Sequence, residues 1–188
     1  MRWLILYARS RQVPGSAAAV ALVTLAVWAL VEPGPAGSGM AVLVLTAHVA
    51  AASVGLGGPD VVLERTAAVR WVPRRAAHVL LSGAVAAVAL LTVQTAGAEL
   101  VPTEVVVRDA AGLVGLAALG AALFGAQFAW TPPTAWLGCV LLVPTPDGRV
   151  GEVMKWMVLP PDTTTAAAVA WSLFASGTLV YAVAGPRR

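Results

Sequence analysis

An all-α membrane protein is the fold class this chain predicts. It would have six transmembrane helices, an N-terminal amphipathic interfacial helix and a broken or re-entrant element between spans five and six, all in one domain over residues 1–188. Three observations predict it. First, 59% of the 188 residues are hydrophobic and 11% charged. Soluble domains run at about 45–50% apolar and about 25% charged, so a water-facing fold of this size could not hide so much apolar surface. Second, apolar stretches of roughly bilayer-crossing length recur along the chain, separated by Pro, Gly and charge. Third, the basic residues fall unevenly between alternate connections. With six spans and a cytoplasmic N-terminus, the inside segments hold Arg2, Arg9, Arg11, Arg65, Arg70, Arg74, Arg75, Arg187 and Arg188, and the outside segments only Arg108, Arg149 and Lys155. The positive-inside rule therefore predicts a multi-pass protein of the cell membrane with both termini in the cytoplasm.

Residues 1–14, MRWLILYARSRQVP, are too few to span. Trp3, Leu4, Leu6 and Tyr7 can share one helical face with Arg2, Arg9 and Arg11 near its polar edge, which reads as a helix lying in the interface; a frayed basic tail is the alternative. A basic start before an apolar run also fits a signal peptide, but further apolar stretches follow and a retained first span is simpler. The first span covers 15–31 and is ended by Glu32 and the Pro33-Gly34-Pro35 turn. The second covers 40–56. A charged loop over 57–77 follows, with Asp60, Glu64, Arg65, Arg70, Arg74 and Arg75, and then the third span over 76–96.

Residues 99–109 form a short polar connection with Glu99, Pro102 and Glu104, and the fourth span covers 110–129. Ala111 with Gly115, and Ala121 with Gly125, are spaced four apart and are candidate helix-packing positions, although a chain rich in Ala and Gly produces such pairs by chance. Trp130-Thr131-Pro132-Pro133 reads as a tight turn. The fifth stretch, 134–143, supplies about half the apolar length a crossing needs, so it must borrow from its neighbours. Residues 144–162 predict an outer or re-entrant element with apolar Val150, Val153, Met154, Trp156, Met157, Val158 and Leu159; an ordinary loop with an interfacial Trp156 is the alternative. The last span covers 164–184.

Little in this sequence carries chemistry. There is no GxxxxGK[ST] phosphate loop, no GxGxxG, no HExxH and no CxxC, and Cys139 is the one cysteine. No metal site, no cofactor and no enzymatic activity are expected of the chain itself. The net charge of +3 does not imply nucleic acid, because the arginines flank membrane spans. His48 lies inside the second span, where ionisable groups are often functional; as the lone titratable group there it reads as a neutral, hydrogen-bonded packing residue. His78, at the start of the third span, can reach water or headgroups. Arg108, Asp109, Glu99 and Glu104 are the one polar cluster that a lipid- or quinone-directed enzyme could use, and they read as solvated connectors.

The charged loop is more specific. Asp60, then Leu63-Glu64-Arg65-Thr66, then Pro73-Arg74-Arg75, then an apolar span opening His78-Val79-Leu80-Leu81, resembles the loop between the second and third spans of type-two ABC-exporter permeases. The stretch RDAAGLVGLAALGAALFGAQFAWTPP and the tail SLFASGTLVYAVAGPRR are similar to permease subunits encoded beside ATPases in actinobacteria. The resemblance implies a transmembrane subunit that forms a substrate path with a second permease chain, identical or similar. It also implies a coupling helix in the loop that docks on a separate ABC ATPase subunit, where ATP and Mg would bind. The docking residues it implies are Asp60, Leu63, Glu64, Arg65, Arg70, Trp71, Arg74 and Arg75. Membrane lipid is the other expected partner, and nucleic acid is not one. A small polytopic scaffold or accessory protein that tethers a cytoplasmic partner through the same loop is the alternative.

Overall fold

The structure, a computed structural model, describes residues 12–30, 34–35, 37–57, 71–95 and 98–187. Residues 1–11 of the expected interfacial helix and 58–70 of the charged loop lie outside the described residues, while Val13 and Pro14, expected at the end of that interfacial helix, instead open the first long helix. Among the described residues there are seven α-helices: α1 (Val13–Leu30), α2 (Ser38–Ser53), α3 (Trp71–Thr95), α4 (Thr103–Phe124), α5 (Thr131–Leu142), α6 (Arg149–Met154) and α7 (Thr164–Ala184). A 3₁₀ turn, Val54–Leu56, prolongs α2. Five helices, α1, α2 with its extension, α3, α4 and α7, are long and apolar enough to cross a membrane. The chain is therefore all-helical and, by composition, a membrane protein.

Contacts between helix ends fix the direction of each helix. Two-residue segments after α1 and after α3, β1 (Gly34–Pro35) and β2 (Ala98–Glu99), pair in parallel and place those two ends together. At the other end, Tyr181 near the close of α7 donates a hydrogen bond to the carbonyl of Leu56, 2.6 Å away. Beside it, the backbone N–H of Arg187 donates to Ala121 in the last turns of α4. α4 and α7 thus run parallel, and α1 and α3 run against them. Since α4 finishes at the end where α7 also finishes, the intervening residues must carry the chain back up the bundle. α5 does part of this, packing its Pro132 against Gly120 of α4.

α5 departs from expectation at its start. Thr131, Pro132 and Pro133 open the helix rather than forming the turn before it. Proline is tolerated there because the first-turn N–H groups have no intrahelical acceptor. The helix has 12 residues, about 18 Å at 1.5 Å per residue, well short of a bilayer core of about 30 Å. α6 and a 3₁₀ turn, Trp156–Val158, then form a broken element. Trp156 is fully buried, its ring packed on Gly112 of α4 and next to Ala170 of α7, so it is a wedge inside the bundle and not an interfacial residue.

The core is built around α4 and α7, the most extensively packed pair. A Cβ at Gly115 would collide with the backbone of Leu173 and Phe174, and one at Gly177 with the backbone of Gly115. The two backbones touch at that crossing, an approach that only residues without a side chain permit.

Candidate functional site

Two arginine-bearing groups stand toward opposite ends of the bundle. At the end where the charged loop leaves and returns, α3 opens with three of the implied docking residues. Trp71 and Arg74 are half-buried, with the Arg74 guanidinium carbon 5.7 Å from the centroid of the Trp71 ring, a cation–π distance. Arg75 differs from expectation. It is buried, its Nη1 donates to the Ala182 carbonyl at 3.4 Å, and its guanidinium lies against Gly185. A docking surface cannot use a side chain turned inward, so Arg75 serves as a tie between α3 and the end of α7. Asp60, Leu63, Glu64, Arg65 and Arg70 lie outside the described residues.

Both stems of the loop are therefore bound to one stretch of α7. The Leu56 carbonyl on the incoming stem is held by Tyr181, and Arg75 on the outgoing stem holds Ala182. Arg187 adds a third tie, with Nη1 donating to the Leu123 carbonyl at 3.3 Å. Cations at the end of a helix also complement the partial negative charge of its terminal carbonyls.

Arg108 and Asp109 stand nearer the opposite end, and there the expectation of solvated connectors is wrong. Both are buried. Arg108 Nε donates to Asp109 Oδ1 at 2.8 Å, Nη1 to the Pro160 carbonyl at 2.8 Å and Nη2 to the Leu159 carbonyl at 2.9 Å. The cause lies in where α4 begins. It starts at Thr103, just after Pro102, so Val105 and Val106 enter the core and the two charged residues follow them inside. The apolar run from Ala110 predicts a later start of the span, and Val105 and Val106, ahead of the charged pair, are the signal of the earlier one.

The small-residue positions divide. Ala111 is buried and Gly115 forms the α7 crossing. Ala121 is buried, but Gly125 lies beyond the end of α4 with φ of +105° and ψ of 154°, a conformation reserved for glycine, so these two do not share a helical face. His48 is buried in α2. Its Nδ1 lies 2.8 Å from the Val44 carbonyl and its Nε2 2.9 Å from Thr24 Oγ1 on α1. His78 is buried as well, in the first turns of α3. Among the described residues no three His, Cys, Asp or Glu side chains converge in a way that could hold a metal ion.

Comparisons of the chain with protein-family models, with curated proteins and with solved structures found no match.

Proposed function

We propose that the chain is the transmembrane subunit of an ABC exporter, coupled through residues 57–77 to a separate ATPase. One observation carries this reading: the two stems of the charged loop are tied to the same turns of α7, which is locked in turn to α4 at Gly115 and Gly177. A push on such a loop moves the central helix pair instead of dissipating in a slack connection. The arginine-rich end, with Arg74, Arg75 and Arg187, faces the cytoplasm by the positive-inside rule. α5 and the broken element after it make the sixth crossing, which the parallel run of α4 and α7 favours. The path for substrate lies between this chain and a second permease chain, and ATP and Mg bind in the ATPase subunit.

The experiment is affinity purification of the full chain from its host membrane, with Glu64→Arg and Arg65→Glu as variants. The expected result is capture of an ATPase that contains a phosphate loop, with nucleotide-stimulated activity, and loss of that capture in both variants while membrane insertion is retained. Absence of an ATPase, or capture unchanged by both reversals, would overturn the reading.

A second reading, a small membrane scaffold tethering a cytoplasmic partner, is favoured by the filled interior. Fifteen of the 22 residues of α4 are buried, and they offer no polar path through a single copy. Capture of a partner without nucleotide-stimulated activity would select it.

A further inference from the structure

A cavity of about 520 Å³ lies between α4, α5 and α6, a size typical of small-molecule sites, which run from about 300 to about 1,000 Å³. Its lining runs from Leu123, Phe124 and Pro132 at the arginine-rich end to Leu116, Cys139 and Met154 further along. Over the seven helical steps from Leu116 to Leu123 the floor is about 11 Å long at the helical rise of about 1.5 Å per residue. The lining side chains are apolar, so the groove suits an apolar ligand. It exists because α5 is short and is pinned at its lower end by Pro132 on Gly120.

The ends of the cavity are unlike. At the far end Trp136 Nε1 donates to the Met154 carbonyl at 3.0 Å and bridges α5 to α6. At the near end Arg187 sits on the carbonyl of Leu123, which is itself part of the lining. That side chain is exposed and carries five N–H donors, of which one is on the carbonyl. An apolar slot with an exposed cation bound beside one end matches a molecule with a hydrocarbon tail and an anionic head.

We propose that this groove is a binding site for an anionic phospholipid, with one acyl chain in the slot and the phosphate on Arg187. The proposal requires that the chain lie in a bilayer and does not depend on its being a transporter. The bilayer supplies the ligand, and the guanidinium selects an anionic headgroup over a neutral one through charge-assisted, often bidentate hydrogen bonds.

The test uses the full chain in nanodiscs. Phosphatidylglycerol or phosphatidylcholine, each with the same diazirine-bearing acyl chain, is photo-crosslinked and the adducts are mapped by mass spectrometry. Adducts should concentrate on 116–124 and 132–139 and be about fivefold more abundant with phosphatidylglycerol, the preference one cation near an anionic lipid surface supports. Arg187→Gln should lower the phosphatidylglycerol yield to that of phosphatidylcholine, and Arg187→Lys should retain most of it. Ala135→Phe should reduce both by filling the slot, and Lys155→Gln, at the bridged end, should change neither. Equal yields from the two lipids in the unmodified chain would overturn the proposal. So would an Arg187→Gln result equal to the unmodified chain, or an absence of lipid adducts over 116–124 and 132–139, the result expected if a second copy covers the groove.

Discussion

α1 and α4 are both long and apolar enough to cross a membrane, yet they sit in opposite surroundings. In α1 one residue, Val20, is buried, whereas fifteen of the 22 residues of α4 are. Apolar character places a helix in the bilayer; it does not say whether the neighbours are lipid or protein. The difference comes from side-chain volume and from charge. α4 carries Gly112, Gly115 and Gly120, which admit Trp156, α7 and Pro132, and it carries an ion pair that water does not reach. α1 shows Leu22, Leu25, Trp28 and Leu30 outward, and among the described residues one side-chain hydrogen bond joins it to the rest of the bundle, between Thr24 and His48. α1 is an outer helix, and α4 is the axis.

The sharpest way to break this contrast is at the ion pair. Asp109→Ala leaves the Arg108 charge buried without its carboxylate, a change that costs about 3–5 kcal/mol in buried pairs. Replacing both residues, Arg108→Met with Asp109→Leu, should cost less than the single change, because no charge is left stranded. Thermal unfolding in detergent, followed by fluorescence-detected size exclusion, measures both.

Next comes the α7 crossing. Gly115→Leu must push α4 from α7 and should cost about 1–3 kcal/mol or more, with loss of the monodisperse peak on mild heating. If Gly115→Leu is as stable as the unmodified chain, the two helices are not in backbone contact.

Smaller effects belong to α1. Thr24→Val removes the hydroxyl facing His48, and hydrogen bonds between membrane helices average about 0.6 kcal/mol, so the melting temperature should fall slightly. Ala21→Leu, on an exposed position of α1, should leave it unchanged within about 0.5 kcal/mol. A large loss there would mean that a second chain covers α1.

Much of the layout was legible in the residues. The last helix, Thr164–Ala184, begins and ends where composition placed it, because Pro160 and Pro161 precede it and Gly185-Pro186 follow. The shortness of the fifth stretch was legible too, since Pro144 limits it. Charge near a boundary was the less readable signal. Arg108, Asp109 and Arg75 look like surface residues when counted one by one; Asp109 is paired with Arg108, and the two arginines are held inside by partners far along the chain: Leu159, Pro160 and Ala182. No local pattern announces a backbone carbonyl some fifty or a hundred residues away. The apolar groove was hidden for the same reason, being formed by three helices and their spacing.

The parallel pairing of α4 with α7 bears on how the protein is made. Chains emerge N-terminus first, so α4 reaches the membrane well before the helix that covers its glycines and before the carbonyls that take up Arg108. Until α7 arrives, the axis of the bundle is an intermediate with an open seam and a charged pair beside it. Quality-control proteases that survey the bilayer would meet that seam in any chain stalled before residue 164, and closure of the α4 axis waits on α7.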